Sequence, residues 1–219
     1  MSAQLSPEEN SRQMRELCAM APVIPVLVIE QARHAAPLAR ALVAGGLPVL
    51  EVTLRTPGAL DAIAQMADTR GAIVGAGTVL GPADAQAARK AGARFAVSPG
   101  ATRALLAGCA DIGLPLLPGA ASATEVMALL ERGYRVQKFF PAEPSGGAAM
   151  LRALAGPLPQ VQFCPTGGIG AKNAAEYLAL ANCCCVGGSW VAPAALIEAQ
   201  DWNAIEALAR AAAAMARRP

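Results

Sequence analysis

The sequence predicts an α/β protein of the (β/α)8 or TIM-barrel class, with an extra helix before the first strand. Eight short segments are apolar along nearly their whole length, which is typical of parallel strands buried on both faces. Alanine-rich amphipathic segments of roughly ten residues separate them, as expected for helices that cover such a sheet. An open doubly wound sheet is the alternative, and the count of eight strand–helix units favours the barrel.

The chain length predicts a single domain. A chain of 219 residues fits one barrel domain over 1–219, with the N-terminal helix at about 6–20 and the barrel at about 22–216. Hydrophobic residues make up 54% of the chain and aromatic residues only 4%, much of the apolar content being alanine. This composition suits many helices packed closely on a compact sheet.

Charge and hydropathy limit the possible partners. The net charge of +2, with no long basic run, gives no electrostatic footprint for nucleic acid. Acidic residues interrupt the first segment, so it does not resemble a signal sequence. The uncharged stretch Tyr177–Ile197 is long enough to span a membrane, but Gly187-Gly188-Ser189 and Pro193 interrupt it. We therefore expect a cytoplasmic protein with a small-molecule substrate and neither nucleic acid nor membrane as a partner.

The cysteines predict neither a disulfide framework nor a metal site. Six cysteines occur, of which Cys183, Cys184 and Cys185 are consecutive, and neighbours on a strand point to opposite faces. No paired-cysteine spacing is present and His34 is the single histidine. We expect a reduced compartment, no metal and no cofactor, and the role of the three consecutive cysteines stays open.

The elements follow one another in a regular order. Ser6-Pro7-Glu8-Glu9 is typical of a helix start, and this helix should end near Met20. A helix over His34–Ala44 should end at Gly45-Gly46. The eight strands are predicted over Val23–Ile29, Val49–Leu54, Ala72–Val79, Arg94–Ser98, Leu114–Leu117, Arg135–Phe140, Val161–Cys164 and Cys183–Val186.

Lys138 lies inside the apolar sixth strand. Lysine is almost never fully buried without a partner, because removing an ammonium group from water is costly, and a neutral amine is a nucleophile. The other two lysines, Lys90 and Lys172, lie in alanine-rich helical contexts that suit exposed side chains. Lys138 is therefore the candidate nucleophile, and the alternative is a lysine at a strand end that extends to solvent.

Glu51 lies in the middle of the second strand. Side chains alternate along a strand, so Glu51 and Arg55 should share one face, and Lys138 and Phe140 should share one face of the sixth strand. A purely structural Glu51–Arg55 pair is the alternative, because a buried carboxylate needs a partner. A lysine and a glutamate that both point into one barrel are a more specific signal than either residue alone.

The loops at the carboxyl ends of the strands are where such a fold places its active site. Thr78 follows the third strand, and the turns with Pro99 and Gly119 end the fourth and fifth, where a plain turn is an equal alternative. Glycine-rich turns end the last two strands, at Cys164-Pro-Thr-Gly-Gly-Ile-Gly170 and Val186-Gly-Gly-Ser-Trp190. Paired turns of this kind, each followed by helical sequence, predict a phosphate site.

These residues together resemble the class I 2-keto-3-deoxy-6-phosphogluconate (KDPG) aldolases, which overlap with the 4-hydroxy-2-oxoglutarate (KHG) aldolases. The resemblance covers the chain from about Val23 to Trp190. The motifs that carry it are Glu51-Val-Thr-Leu-Arg-Thr-Pro57, Gly75-Ala-Gly-Thr-Val79, Ala96-Val-Ser-Pro-Gly100, Leu116-Leu-Pro-Gly119, Lys138-Phe-Phe-Pro-Ala-Glu143, Pro165-Thr-Gly-Gly168 and Gly187-Gly-Ser-Trp190. The first and the fifth are the most specific.

The resemblance implies a role for each matching residue. Lys138 would form the Schiff base and Glu51 would transfer protons. Arg55 and Thr78 would hold the pyruvyl end of the substrate. The residues that would line the rest of the pocket are Pro99 and Phe140, and those around the phosphate are Thr166, Gly167, Gly168, Gly188 and Ser189. The resemblance also implies a homotrimer.

The reaction that the resemblance implies is cleavage of KDPG to pyruvate and glyceraldehyde 3-phosphate, and of KHG to pyruvate and glyoxylate. Three alternatives stay open. The first is the galactonate-type substrate, which differs in the orientation of one hydroxyl group. The second is a sugar-phosphate isomerase or epimerase in which Glu51 is the base and Lys138 only stabilises charge. The third is a non-catalytic sensor of phosphorylated acids.

Overall fold

The computed structural model describes residues 4–216, and the two ends of the predicted domain, 1–3 and 217–219, lie outside the described residues. The strands are β1 (Val23–Leu27), β2 (Val49–Thr53), β3 (Ile73–Gly77), β4 (Phe95–Val97), β5 (Leu116–Leu117), β6 (Gly119–Ala120), β7 (Val136–Phe139), β8 (Gln162–Pro165) and β9 (Val186–Gly188). The α-helices are α1 (Pro7–Ala19), α2 (Ala35–Ala44), α3 (Ala59–Ala67), α4 (Pro82–Lys90), α5 (Arg103–Asp111), α6 (Ala123–Leu130), α7 (Gly147–Ala155), α8 (Ala174–Leu178), α9 (Ala194–Glu198) and α10 (Trp202–Ala213).

The strands form a curled parallel sheet. One part has the order β5-β4-β3-β2-β1-β9 and the other the order β6-β7-β8. Isolated parallel bridges, Phe163 with Cys183 and Thr166 with Gly187, connect the β8 region to the β9 region. Consecutive strands lie side by side over most of the sheet, so the predicted α/β class with parallel strands and covering helices is confirmed.

Two predicted strand boundaries are wrong. The fifth strand, predicted from Leu114, begins only at Leu116, and Pro118, which has no N–H group to donate to the ladder, separates it from the short strand β6. The eighth predicted strand, Cys183–Val186, is displaced, because β9 begins only at Val186 and runs into Gly187 and Gly188. Before it, Cys183 forms only an isolated parallel bridge with Phe163, and the Cys184 N–H donates to the Phe163 carbonyl at 2.9 Å.

The alternation of side chains builds two apolar layers. Leu50 and Val52 of β2 point toward the helices, whereas Val49 points to the inside of the curled sheet. The inner layer also contains Phe95 and Val136. The sheet is therefore buried on both faces, which explains why its strands are apolar along their whole length.

Helix α1 packs against the amino-terminal ends of the strands. Its Asn10 side chain pairs with both backbone groups of Leu116, at 2.9 Å to the carbonyl and 2.7 Å from the N–H. The Ser11 hydroxyl accepts from the Arg135 N–H at 2.9 Å. The helix begins as predicted, with the Ser6 side chain accepting from the Glu9 N–H. No helix in the described part of the chain is long and apolar enough to cross a membrane.

Candidate active site

A buried ion pair joins β2 and β7 inside the curled sheet. Lys138 is 5% exposed and Glu51 3% exposed, and Lys138 Nζ lies 3.4 Å from Glu51 Oε1. The prediction that both side chains point into the same interior is confirmed. The burial also shows that the alternative in which Lys138 extends to solvent is wrong.

The neighbouring strand leaves room for the Glu51 carboxylate. A Cβ atom on Gly77 of β3 would lie 2.2 Å from Glu51 Oε1, so only glycine fits beside it. The next residue, Thr78, has a φ of 58°, which is uncommon for a β-branched residue and fixes its side chain at the strand end. Gly77 and Thr78 together allow the end of β3 to lie against the Glu51 carboxylate.

Arg55 lies beyond the end of β2, in the turn that follows Thr53. Its Nε–H donates to Thr78 Oγ1 at 3.1 Å, and its guanidinium group is exposed. The structural Glu51–Arg55 pair is wrong, because Glu51 pairs with Lys138 instead. An exposed guanidinium just beyond the strand that carries Glu51 is suited to bind a carboxylate from solution.

Phe140 contacts the amine, and Pro99 lies at the same end of the sheet. The Phe140 ring centroid lies 5.1 Å from Lys138 Nζ, which is within the range of a cation–π contact. Pro99 is partly buried just beyond β4, and its carbonyl packs against Gly119, whose register partner in β7 is Lys138. Both residues therefore lie at the same end of the sheet as the ion pair.

The two glycine-rich turns lie side by side. Thr166 pairs with Gly187 across the gap between β8 and β9, and Thr166 is buried. Gly167 and Gly168 have φ values of 104° and 78°, which favour glycine, so their backbone can form a tight turn at the strand end. Gly188 ends β9 and Ser189 is exposed next to it.

The helices that follow these turns differ from the sequence prediction. Helix α8 begins only at Ala174 and α9 only at Ala194, and each has five residues. Neither helix N-terminus lies within its turn, so backbone amides and the Thr166 and Ser189 hydroxyls are the groups available to an anion there.

Glu143 and Tyr177 support the first glycine turn, and neither residue was assigned a role from the sequence. The Glu143 N–H donates to the Gly167 carbonyl at 3.1 Å, and a Cβ atom on Gly168 would lie 2.6 Å from Glu143 Cγ. The Tyr177 hydroxyl donates to Glu143 Oε1. Burial, together with this hydrogen bond, raises the pKa of Tyr177 above its usual range, so the hydroxyl remains a donor. Glu143 belongs to the motif that begins at Lys138, but Tyr177 had no signal in the sequence.

Metal-ligand side chains do not gather at this end of the sheet within residues 4–216. The one group of three or more possible ligands there consists of Cys18, Cys184 and Cys185, which lie near the amino-terminal ends of the strands. His34 is buried against Trp202.

The curled parallel sheet and the buried lysine–glutamate pair define the class of protein: an α/β enzyme of the carbon–carbon lyase class. A family model described as KDPG and KHG aldolase matches residues 14–208. The chain belongs to the KDPG and KHG aldolase family.

Individual relatives agree with this family. The KHG/KDPG aldolase of Escherichia coli K12 is 51% identical over 192 residues, which cover 87% of this chain and 90% of that protein. The crystal structure of the 2-keto-3-deoxy-6-phosphogluconate aldolase of Zymomonas mobilis ZM4 with 3-phosphoglycerate has a TM-score of 0.91 and 49% identity, covering 94% of this chain and 98% of that one.

A third relative was solved with a reaction intermediate. The KDPG aldolase of Legionella pneumophila, with pyruvate captured at low pH as a covalent carbinolamine, has a TM-score of 0.89 and 49% identity. The match covers 91% of this chain and 98% of that one.

Proposed function

We propose that this chain is a class I aldolase that cleaves KDPG to pyruvate and glyceraldehyde 3-phosphate and KHG to pyruvate and glyoxylate. The observation that carries the proposal is the Lys138 amine, 5% exposed and 3.4 Å from the Glu51 carboxylate. A nucleophile with an adjacent proton carrier is the arrangement that imine chemistry needs. The carbinolamine trapped in the Legionella relative is the intermediate that this chemistry forms.

Lys138 begins the reaction by giving a proton to Glu51, 3.4 Å away, which leaves its amine uncharged. Nζ attacks the C2 ketone to give a carbinolamine, which loses water to form an iminium ion. Glu51 transfers protons in these steps and then takes the proton of the C4 hydroxyl. The C3–C4 bond breaks, the aldehyde leaves, and the electron pair enters the enamine between C3 and C2. Protonation at C3 and hydrolysis release pyruvate and the free amine.

The surrounding residues orient the substrate. Arg55 and Thr78, which are joined by a 3.1 Å hydrogen bond, bind the carboxylate next to the ketone. Pro99 and Phe140 enclose the pyruvyl part. Backbone amides and hydroxyl groups of the two glycine-rich turns bind the phosphate; the residues are Thr166, Gly167, Gly168, Gly188 and Ser189. Binding of the phosphate, far from the reacting atoms, positions C2 over the amine.

Borohydride reduction in the presence of pyruvate tests the proposal. Reduction of the imine should leave a stable adduct on the peptide that contains Lys138, and peptide mass mapping locates it. The Lys90→Arg variant, altered at an exposed helical lysine, should give the same adduct. A folded enzyme with no adduct would favour the non-covalent isomerase. Binding of phosphorylated acids without turnover would favour the sensor.

The choice between gluconate-type and galactonate-type substrates depends on one hydroxyl group at C4. We propose the gluconate type, because the relatives at 49–51% identity are named for it. Initial rates with the two C4 epimers test this choice.

We also propose the finer architecture. The parallel order, together with the bridges between the β8 and β9 regions, supports closure into one (β/α)8 barrel domain over the whole chain, with α1 as an extra helix at one end. The family resemblance supports a homotrimer in the cytoplasm. Light scattering of the purified protein tests the trimer.

A further inference from the structure

A second group of reactive side chains lies near the amino-terminal ends of the strands, and the aldol reaction does not use it. Cys18 is near the end of α1, and Cys184 and Cys185 immediately precede β9. Their three Sγ atoms all lie within 4.8 Å of one another. We call these three residues the cysteine cluster.

The cluster is held by the packing of two separate segments. Cys18 is fixed because Asn10 and Ser11, on the same helix, bond to the sheet backbone. Cys184 is fixed by its backbone N–H and by its thiol, both of which donate to the Phe163 carbonyl, the thiol at 3.1 Å. The sulfur atoms therefore do not depend on a flexible loop for their positions.

Burial distinguishes the three members. Cys18 and Cys185 are completely buried, whereas residue Cys184 is partly exposed. No histidine or carboxylate in the described range joins the group at the same spacing. The group at this spacing is therefore sulfur alone, with three members, and a further thiol, that of Cys164, contacts Cys185.

Three sulfur ligands favour one kind of ion. An ion with bonds of about 2.3 Å to three thiolates holds the sulfur atoms roughly 4 Å apart, so the cluster needs only a small contraction to enclose it. Structural zinc sites are closed by a fourth ligand, and the thiol of Cys164 contacts Cys185 but lies outside the 4.8 Å group, whereas three thiolates at this spacing suit a soft ion such as Cu(I). We propose that the cysteine cluster binds one Cu(I) ion in a three-coordinate thiolate site.

Copper binding should stabilise the folded protein and leave the aldol reaction unchanged. Bound Cu(I) replaces the protons of the three thiols and joins the end of α1 to the start of β9. Glu51 and Lys138 lie on other strands and are not ligands, so turnover without copper is expected. The proposal is thus independent of the proposed aldolase reaction.

Transfer of Cu(I) from a coloured chelator tests the proposal. Reduced, metal-free protein is titrated without oxygen into the Cu(I) complex of bathocuproine disulfonate, and loss of colour measures the transfer. We expect one equivalent per chain and a higher melting temperature for the loaded protein. X-ray absorption at the copper edge should show a first shell of three sulfur atoms.

Cysteine variants identify the ligands. Cys184→Ala and Cys18→Ala should lose both the transfer and the rise in melting temperature. Cys109→Ala is the matched control, because Cys109 is equally buried but lies on α5 in the outer apolar layer, and it should behave as the wild type. A circular dichroism spectrum that matches the wild type shows that each variant is folded.

Three results would overturn the proposal. One is failure of the wild type to remove copper from the chelator. Another is full transfer in a folded Cys184→Ala variant. The third is an absorption spectrum with nitrogen or oxygen ligands in place of sulfur, which needs no variant.

Discussion

At the scale of single residues, the Lys138 amine is the group on which the proposed reaction depends. Lys138→Arg keeps a positive charge near Glu51, 3.4 Å away in the wild type, but a guanidinium group does not form an imine. We expect no measurable turnover and no trapped pyruvate, with an unchanged circular dichroism spectrum. Lys90→Arg, at an exposed position, should retain wild-type turnover. Substantial residual turnover in Lys138→Arg would remove the Schiff base from the mechanism.

Glu51 is expected to affect the rate more than imine formation itself. Glu51→Gln keeps the shape of the side chain and can still contact Lys138, but an amide does not take a proton from the C4 hydroxyl. Loss of a general base typically slows turnover by about 10²–10⁴-fold, so we expect kcat to fall by that order. Pyruvate should still be trapped by borohydride, more slowly than in the wild type.

An exposed glutamate supplies the control for this variant. Glu131→Gln changes the same side chain outside the site and should leave kcat unchanged. Wild-type turnover in Glu51→Gln would contradict the proton-transfer role, and the buried pair would then serve only to keep the sheet interior neutral.

Lys138 and Glu51 could be predicted because a charged side chain inside an apolar strand is costly unless it has a partner or a function. A charged residue within an apolar run is easily recognised in the sequence, and the alternation of side chains along a strand then predicts which face of the sheet it occupies. Glu143 and Tyr177 could not be paired in this way. They lie 34 positions apart, and a glutamate after a strand or a tyrosine in a helix is an ordinary feature of a protein surface.

At the scale of elements, the sequence predicted which strands exist better than where each one ends. Apolar runs mark a buried strand, but Cys184 and Cys185 are as apolar as strand residues and lie outside any strand. Gly187 and Gly188 look like turn residues and belong to β9. Glycine is used there because Thr166 Oγ1 would lie 2.3 Å from a Cβ atom on Gly187, and this proximity depends on a neighbouring segment.

The Thr166–Gly168 turn gives a prediction at this scale. Tyr177→Phe removes the hydroxyl that donates to Glu143, the residue packed under Gly168. Loss of a hydrogen bond to a charged group costs about 1.5–3 kcal/mol. Part of this loss should appear as weaker positioning of the Thr166–Gly168 turn. We expect the KM for KDPG to rise about tenfold or more. The KM and kcat for KHG, which has no phosphate, should stay unchanged.

Tyr134→Phe is the control for the hydroxyl deletion. Tyr134 is also buried, but it lies outside the site, between α6 and β7, so its variant should keep both KM values. Equal increases in the two KM values of Tyr177→Phe would show that the turn supports the whole pocket, contrary to a specific role in phosphate binding.

At the scale of the whole molecule, the alternation of strands and helices was predictable from apolar periodicity alone. The attachment of α1 was not, because Asn10 and Ser11 are polar residues that a helix usually exposes. Both are buried here, at 3% and 4% exposure, since each bonds to sheet backbone far along the chain. Long-range partners of this kind are fixed only when the complete set of strands is assembled.

The packing of α10 on α2 gives a prediction about the stability of the fold. Gly45 caps α2 with a φ of −75°, which any residue adopts, so its substitution has only a steric cost. A Cβ atom there would lie 2.4 Å from Ala209 Cβ and 2.8 Å from the Glu206 carbonyl on α10. Gly45→Ala must therefore push α10 away from α2, and we expect the free energy of unfolding to fall by about 1–3 kcal/mol.

Gly156→Ala is the matched control for this substitution. Gly156 caps α7 with a φ of −67°, and a Cβ atom there would meet nothing within 4 Å. Its substitution should be neutral or raise the free energy of unfolding by up to about 1 kcal/mol, because alanine has less freedom in the unfolded chain. Urea unfolding of both variants measures the difference. Equal free energies of unfolding for the two variants would mean that α10 adjusts freely and that its close packing on α2 contributes little to stability.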